Sequence, residues 1–216
     1  MTTIYYTLCQ QMPTDEFEFS VSLLPADMQK RLRRFRRWQD AHAYLYGRLL
    51  LKEGMLRLGY DDSLESMKRT KYGKPYFEGF PFGFNISHSG KYVVCVISTD
   101  ENENLGVDIE QIKPIVFDDF KCVFSYEERK KIDSYEKFYT FWTRKEAIVK
   151  ADGRGMQIPL NNVDVTSMST QIDTNKYYLI KVDIDKEYML HIASLHKIDE
   201  VAAVDLLSIT QAVTYY

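Results

Sequence analysis

The stretch LGVDIE, residues 105–110, constrains the fold of this chain more than any other part of its sequence. Apolar side chains at every second position alternate with a glycine and two carboxylates. This alternation is typical of a β-strand, in which successive side chains point to opposite faces of the sheet. Asp108 and Glu110 therefore lie on the same face, about 6–7 Å apart along the strand. Because two like charges at this distance repel each other, the stretch predicts a positive group beside the strand.

Composition and charge exclude several classes of protein. Of the 216 residues, 45% are hydrophobic and 27% are charged, which is the balance of a globular protein that buries its own core. The formal net charge of −3 provides no basic field for nucleic acid. No apolar run approaches the roughly 18 residues of a membrane helix, and the N-terminus lacks the features of a signal peptide. We therefore expect a soluble, cytoplasmic protein.

The three cysteines give no sign of a metal or redox site. Cys9, Cys95 and Cys122 are scattered along the chain, without a CxxC motif or the Cys/His spacing of a zinc site. Cys95 lies in the apolar run YVVCVIS, and Cys122 precedes Val123 and Phe124. The latter two cysteines are predicted to be buried thiols, which fits a reducing compartment.

The first half of the chain combines strand and helix patterns. TIYYTL near the start predicts a strand, and FNISHSG predicts a turn that leads into the strand KYVVCVIST. A helical pattern runs from Ser22 to Tyr60, with Gly59 as its end signal. The polar residues 100–104 predict a hairpin-type connection into LGVDIE.

The second half repeats this combination. SYEERKKI predicts a helix with Ser125 as its N-cap and Glu128 at the capping-box position. KFYTFWTRKEAIVKADGRG predicts a longer helix that ends at Gly153. Strands are predicted at residues 163–165, 177–185, 188–195 and 201–207. We therefore expect an α+β fold of two pseudo-symmetric lobes, residues 1–104 and 105–216, each an antiparallel sheet packed with helices. LGVDIE would then lie between the lobes, where clefts form.

A third carboxylate and a lysine lie on the predicted long helix. Glu146 and Lys150 are four residues apart, so one interpretation is a surface ion pair that contributes only about 0.2–0.5 kcal/mol. The alternative is that Glu146 joins Asp108 and Glu110 around a divalent cation, while Lys150 holds an anion that the cation also contacts. Three oxygen ligands without a histidine favour Mg²⁺, which keeps positions open for water or phosphate oxygens.

These stretches, taken in chain order with KYGKP and FNISHSG, resemble the 4′-phosphopantetheinyl transferases of the larger, monomeric, surfactin-synthetase-activator type. The signatures of that family, G-[IV]-D-x-E and W-x-x-K-E-A-x-x-K, are both intact in this sequence. After about Gly155 the sequence resembles the family only in its pattern of predicted strands. The resemblance implies a monomer that moves 4′-phosphopantetheine from coenzyme A to a serine of an apo acyl or peptidyl carrier protein. The other product would be adenosine 3′,5′-bisphosphate.

The resemblance also implies roles for the acidic residues and the lysine. Asp108, Glu110 and Glu146 would hold Mg²⁺ on the diphosphate of coenzyme A. Lys150 would stabilise the charge that develops on the leaving phosphate. Glu146 would also accept the serine proton, directly or through a water. The implied catalytic residues are therefore Asp108, Glu146 and Lys150.

The implied coenzyme A contacts come from several stretches. The turn KYGKP would pack on the adenine, His88 resembles a contact to the 3′-phosphate, and Ser89 resembles a contact to the diphosphate. The alternatives are a plain turn and a structural histidine. Arg31 belongs to the basic run KRLRRFRRW, predicted as part of one helix, which is either a solvated face or a grip on the 3′-phosphate. The complete set is Arg31, Tyr72, Gly73, Lys74, Pro75, Ser87, His88, Ser89, Lys145 and Lys150.

Two positions depart from the family pattern near the 3′-phosphate. Met28 and Ala43 stand where relatives carry basic residues. The loss of two cations weakens a phosphate site, so we predict tolerance of dephospho-coenzyme A. Arg34 or Arg48 are the candidates to replace them.

The residues between the two signatures are candidates for the carrier-protein surface. Phe117 and Phe120 either belong to the core or form a hydrophobic dock for the carrier. Basic residues at the rim would steer an acidic carrier, and the candidates are Lys113, Lys121 and Arg129.

Three other functions remain open: a non-catalytic binder of coenzyme A or of a carrier, a Mg²⁺-dependent diphosphate hydrolase, and a nucleic-acid protein.

Overall fold

The structure, a computed structural model, describes residues 1–99 and 104–206. Two four-stranded sheets form its frame, and a long helix packs against each of them. Most of the predicted connection at 100–104 and the last residue of the predicted strand 201–207 lie outside the described residues. No helix within the described ranges is long and apolar enough to span a membrane.

The first half of the chain contains one strand, then three helices, then four strands. In chain order they are β1 (Thr2–Leu8), α1 (Thr14–Ser22), α2 (Ala26–Leu32), α3 (Trp38–Arg57), β2 (Met67–Arg69), β3 (Pro75–Phe77), β4 (Gly83–Ser89) and β5 (Tyr92–Ser98). Gly59 follows the end of α3 with a φ of 78°, a left-handed conformation that glycine adopts readily. The predicted end signal of this helix is therefore confirmed.

The second half contains a similar set of elements. In chain order they are β6 (Gly106–Gln111), α4 (Tyr126–Lys131), α5 (Tyr135–Asp152), β7 (Ser169–Ile172), β8 (Asn175–Lys181), β9 (Tyr188–Ser194) and β10 (Val201–Asp205). Ser125 and Glu128 form the predicted capping box at the start of α4. Gly153, with a φ of 86°, ends α5 as predicted.

The sheets confirm the predicted α+β fold class. The strand orders are β10-β1-β5-β4 and β6-β9-β8-β7, and β2 pairs separately with β3. Neighbouring strands are antiparallel except for β10, which runs parallel to β1. The lobe boundary at residue 104 stays a prediction, and β10 crosses it. β10 pairs with the edge of β1 that β5 leaves open. Without β10 this edge would expose unpaired backbone N–H and C=O groups.

The helical pattern from Ser22 to Tyr60 is interrupted between α2 and α3, so the prediction of one helix through the basic run 30–38 is wrong. All seven side chains from residue 33 to residue 39 are exposed. A continuous helix against a core buries a side chain about every fourth residue, as Met28 and Leu32 do in α2. Because no side chain continues this buried face, the chain leaves the core. The basic run at 30–38 is therefore divided between the end of α2, a connection and the first residue of α3.

The predicted strand at residues 163–165 is also wrong. Its backbone groups bond to side chains instead of to a neighbouring strand. The Val163 carbonyl accepts a hydrogen bond from Lys145 Nζ at 2.5 Å. The Val165 N–H donates to Glu128 Oε1 at 3.0 Å. The edge of the second sheet is formed by β7 instead.

The prediction for the cysteines is correct for one thiol and wrong for the other. Cys95 lies in β5 and is buried. Cys122 is exposed, because it lies in the turn that follows the 3₁₀ helix Phe117–Phe120. Neither belongs to a disulfide.

Candidate active site

Close packing of β6 on α5 places the first two carboxylates beside the helix. A Cβ added to Gly106 would overlap the Ala147 carbonyl oxygen and the Ala151 nitrogen of α5. Only glycine therefore allows the strand to approach the helix backbone this closely. Two residues further along β6, Asp108 faces α5, and Glu110 follows on the same face of the strand. Asp108 is 4% exposed, so its carboxylate is nearly removed from water.

Lys150 is the positive group that the sequence predicts beside the strand. Its Nζ lies 2.6 Å from Asp108 Oδ1 and donates to Ser87 Oγ at 2.9 Å and to the Val107 carbonyl at 3.1 Å. The other carboxylate oxygen, Asp108 Oδ2, is buried and has no hydrogen-bond partner among the described residues. Lys150 thus satisfies half of the carboxylate and leaves one oxygen available to a further ligand.

The three carboxylates line one cavity of about 340 Å³ together with Lys150, Ser87 and His88. Burial raises the pKa of Asp108, Glu110 and Glu146. The charge of Asp108 raises the pKa of the two glutamates further. Three partly desolvated acids around one cavity are stabilised by a cation between them.

The donor set of this cavity fits Mg²⁺ that is shared with a bound anion. No three His, Cys, Asp or Glu side chains of the described residues converge closely enough to hold a metal ion alone. Mg²⁺ in proteins is usually bound by one or two carboxylates, with waters and substrate phosphates completing its octahedron. The unpartnered Asp108 Oδ2 is an oxygen of the kind that such an ion takes.

A second cavity of about 340 Å³ adjoins the first. It is lined by Tyr72, Gly73, Lys74 and Pro75 of the predicted adenine turn. Glu146 and Lys150 line both cavities, so the turn and the carboxylates face one continuous space. The remainder of its lining is mostly apolar and comes from β4, the end of α5 and the segment after it, including Ile86, Val149, Met156, Ile158 and Leu160.

Lys74 connects the turn to the opposite half of the molecule. Its Nζ donates to the Ala151 carbonyl at the end of α5 at 2.6 Å. Burial lowers the pKa of Lys74 to about 8, because desolvation disfavours the ammonium form. Gly73 precedes it with a φ of 90°, which the tight turn requires. The structure therefore places the turn residues in the cavity that adjoins the carboxylates, and Lys74 also holds the two halves together.

Ser87, His88 and Ser89 lie in β4, not in the turn that the sequence predicts. Ser87 Oγ donates to Asp108 Oδ1 at 3.2 Å, and Ser89 Oγ donates to Glu110 Oε2 at 2.7 Å. His88 lies between them in sequence, is exposed and also lines the carboxylate cavity. The alternation of β4 places the two serines on the face toward β6 and the histidine on the opposite face of the strand.

Lys145, predicted to contact coenzyme A, does not reach either cavity. Its side chain is 0% exposed and pairs with the equally buried Glu128 at 2.8 Å. It also donates to the carbonyls of Leu160 and Val163 at 2.8 and 2.5 Å. On α5, Lys145 lies on the same face as Phe138 and Phe141, and this face packs against the core. Lys145 is therefore a structural residue that anchors the segment after α5.

Arg31 lies apart from both cavities, beside Arg48. Its Cζ is 5.6 Å from the centroid of the Tyr44 ring, and the Cζ of Arg48 is 3.8 Å from the same ring. The Tyr44 hydroxyl and Arg48 Nε are buried and have no hydrogen-bond partner among the described residues. The sequence suggests Arg48 only as a replacement for the missing basic residues. In the structure Arg48 lies closer to the Tyr44 ring than Arg31 does, and it has a buried donor without a partner among the described residues.

The predicted dock residues belong to an aromatic cluster at the start of α5. Phe117 stacks on Phe138 with ring centroids 5.8 Å apart, and Phe120 lies edge-on to Trp142 at 5.4 Å. Both are partly exposed, so each has one face in the core and another toward solvent. Arg129, a predicted rim residue, donates to the carbonyls of Lys121 and Phe124.

His191 is a site neighbour that sequence reasoning missed. It pairs with Asp108 in the β6–β9 ladder and is fully buried. Its Nδ1 lies 2.8 Å from Thr143 Oγ1, and its Nε2 accepts a hydrogen bond from Arg144 Nε at 3.4 Å. Burial, followed by the charges of Arg144 and Lys181, lowers its pKa to about 3. No spacing in the sequence connects residue 191 to residue 108.

His191 makes the stability of the protein depend on pH. An unfolded histidine has a pKa of about 6.5, so between pH 6.5 and about 3 the unfolded chain binds a proton that the folded chain excludes. The stabilisation is therefore present above pH 6.5 and is lost as the pH falls toward 3. We expect His191→Gln to reduce the slope of unfolding free energy in this window by up to about 1.4 kcal/mol per pH unit.

Urea unfolding at a series of pH values measures this slope. His196→Gln, at an exposed histidine, is the matched control and should leave the slope unchanged. Equal slopes for His191→Gln and the wild-type protein would contradict the prediction.

Comparisons with known proteins agree on one family. Two family models match, described as 4′-phosphopantetheinyl transferase, N-terminal, over residues 11–100, and 4′-phosphopantetheinyl transferase superfamily, over residues 104–204. A Bacillus subtilis protein named 4′-phosphopantetheinyl transferase is 30% identical over 82% of this chain and 84% of that protein. The protein Sfp of Bacillus subtilis strain 168, with the same activity in its name, is 29% identical over 84% and 87%. The protein gsp of Aneurinibacillus migulanus is 32% identical over 72% and 67%.

Proposed function

The chain belongs to the 4′-phosphopantetheinyl transferase superfamily, and we propose that it carries out its transfer with Mg²⁺ held by Asp108, Glu110 and Glu146. Members of this family transfer the 4′-phosphopantetheine group from coenzyme A to a carrier protein, and this is the activity of the chain. The observation that carries the metal proposal is the single cavity lined by all three carboxylates, with the unpartnered Asp108 Oδ2 among them.

The diphosphate of coenzyme A fits the junction of the two cavities. Glu146 and Lys150 line both, and the adenine turn lines only one. The adenine would lie against Tyr72 and Pro75, which places the diphosphate beside Lys150. A cavity shared in this way supports one extended ligand instead of two separate ones.

The residues around the junction divide the work of phosphoryl transfer. Mg²⁺, when bound, supplies charge neutralisation at the diphosphate oxygens. Lys150 places its positive charge beside the leaving phosphate and stabilises the negative charge that develops as adenosine 3′,5′-bisphosphate departs. Glu146, which lines the same cavity, accepts the proton of the carrier serine, directly or through a water. Asp108 keeps Lys150 oriented through the contact at 2.6 Å.

Arg48 is the residue that we propose for the 3′-phosphate of coenzyme A. It stacks on Tyr44, a ring that Arg31 also approaches, and its Nε is buried without a hydrogen-bond partner among the described residues. Burial lowers its pKa, and the guanidinium groups of Arg69 and Arg31 lower it further. A desolvated cation among other cations is stabilised by an anion. Arg48 would thus replace the basic residues that are missing at Met28 and Ala43.

The choice between coenzyme A and dephospho-coenzyme A tests this assignment. We expect Arg48→Met to lower kcat/KM for coenzyme A by about 30-fold, the size of losing one desolvated charge contact. The value for dephospho-coenzyme A should hardly change, because that substrate lacks the 3′-phosphate. Arg34→Met, at an exposed arginine of the basic run 30–38, is the control. Equal losses on both substrates would identify Arg48 as a packing residue. A wild-type enzyme that uses both substrates equally would support the sequence-based prediction of tolerance.

Intact mass spectrometry of an apo acyl carrier protein tests the proposed function directly. The carrier is incubated with this protein, coenzyme A and Mg²⁺, and a parallel sample contains EDTA. We expect a 4′-phosphopantetheine adduct that is lost with EDTA. An adduct that persists in EDTA would contradict the metal site. Release of phosphopantetheine to water would indicate a diphosphate hydrolase, and binding without an adduct on acyl or peptidyl carriers would indicate a non-catalytic binder.

A further inference from the structure

The edges of the two large sheets meet at β4 and β6 through side chains instead of a backbone ladder. Three residues at alternate positions of β4 accept hydrogen bonds from backbone N–H groups at alternate positions of β6. Asn85 Oδ1 accepts from Val107 at 3.1 Å, Ser87 Oγ from Ile109 at 3.4 Å, and Ser89 Oγ from Gln111 at 3.1 Å. We call these three residues the side-chain ladder.

The ladder binds the carboxylates as well as the backbone of β6. A serine hydroxyl that accepts a backbone N–H still has one proton to donate. Ser87 donates this proton to Asp108 at 3.2 Å, and Ser89 donates its proton to Glu110 at 2.7 Å. Asn85 has no carboxylate opposite, because the residue at its level of β6 is Gly106 or Val107. Two of the three ladder residues therefore have a second contact that the third lacks.

We propose that Ser89 is a positioning residue that orients Glu110 as a ligand of the divalent cation, with Ser87 doing the same for Asp108. The inference rests on the proposed function, since orientation matters only if the carboxylates bind a metal. Glu110 is partly exposed and has several rotatable bonds, so its carboxylate needs a fixed partner to point into the cavity. Partners of this kind orient metal ligands, and their loss typically weakens metal binding by about 10–100-fold.

The proposal changes the role that the resemblance implies for Ser89. A hydroxyl has one proton, and the Ser89 proton is already donated to Glu110. Its lone pairs face the Gln111 N–H. Ser89 therefore acts on the substrate through Glu110 and the metal, not by donating a hydrogen bond to the diphosphate.

Binding of Mn²⁺ without turnover tests this inference. Mn²⁺ takes the same carboxylate and phosphate oxygens as Mg²⁺ and is detected by its electron paramagnetic resonance. The protein is titrated with Mn²⁺ in the presence of coenzyme A and without a carrier. We expect Ser89→Ala to weaken Mn²⁺ binding about 10–100-fold and Ser89→Thr, which keeps the hydroxyl, to restore it.

Asn85→Ala is the matched control within the same ladder. It removes the side-chain acceptor of one β6 backbone N–H, as Ser89→Ala does, but leaves the carboxylates untouched. We expect both alanine variants to lower the Tm by similar amounts and only Ser89→Ala to weaken Mn²⁺ binding. Equal weakening in both variants, or none in Ser89→Ala, would overturn the positioning role while the metal site stands. A wild-type protein that binds no Mn²⁺ would overturn the metal site and, with it, this inference.

Discussion

Asp108→Ala is expected to lower the rate of phosphopantetheine transfer by about a thousandfold or more. The substitution removes an oxygen ligand of the proposed Mg²⁺ and the group that fixes Lys150 at 2.6 Å. Loss of metal stabilisation at a phosphoryl-transfer transition state amounts to several kcal/mol, and about 4 kcal/mol corresponds to a thousandfold. The rate of adduct formation on an apo carrier, measured by intact mass spectrometry, gives the effect.

The fold should survive this substitution. The Lys150 side chain is 29% exposed, so water can solvate its ammonium once the carboxylate is gone. Circular dichroism and urea unfolding of the variant check this point. Asp183→Ala is the matched control, because Asp183 is an exposed carboxylate that pairs with Lys181 outside both cavities. An Asp108→Ala enzyme that is as active as Asp183→Ala would refute the assignment of Asp108 to the metal.

Glu128→Ala is expected to have the largest effect on stability, a loss of about 3–5 kcal/mol of unfolding free energy. Both members of the Glu128–Lys145 pair are 0% exposed, so the substitution leaves a buried ammonium without its counter-ion. It also removes the acceptor of the Ser125 and Val165 N–H groups. Urea unfolding followed by fluorescence of the two tryptophans measures the loss.

The neighbouring residue on α4 provides the control for this prediction. Glu127 is exposed and pairs with Lys130 on the surface. Exposed ion pairs contribute about 0–1 kcal/mol, so Glu127→Ala should change little. If Glu128→Ala and Glu127→Ala lower stability equally, the buried pair does not anchor the segment after α5.

Much of the candidate site is readable from short-range patterns. Asp108 and Glu110 share a face because of the strand period, and Glu146 and Lys150 share a face because of the helix period. The capping box at Ser125 is also a relation between residues three apart. All of these depend on neighbours within one turn or one strand. The sequence therefore predicts them without reference to the rest of the molecule.

The errors arose where a contact between distant segments decides the outcome. Lys145 carries a charge that suits a phosphate ligand, but it lies on the core side of α5, where the Glu128 carboxylate neutralises it. The serines of FNISHSG have the composition of a turn but form an edge strand against β6. The period-two spacing of Asn85, Ser87 and Ser89 matches that of Asp108 and Glu110, and this signal was present in the sequence.

The sequence by itself determined the strand of LGVDIE, the shared face of Glu146 and Lys150 on α5 and the membership of the family. Each depends on residue identity and on spacings of two to four residues, which the backbone geometry of strands and helices converts directly into shared faces. Only the tertiary structure decided that Ser89 meets Glu110, that Lys145 is buried against Glu128, and that β10 joins the first sheet. These outcomes depend on which surfaces exclude water together, and burial is a property of the assembled molecule that no local pattern contains.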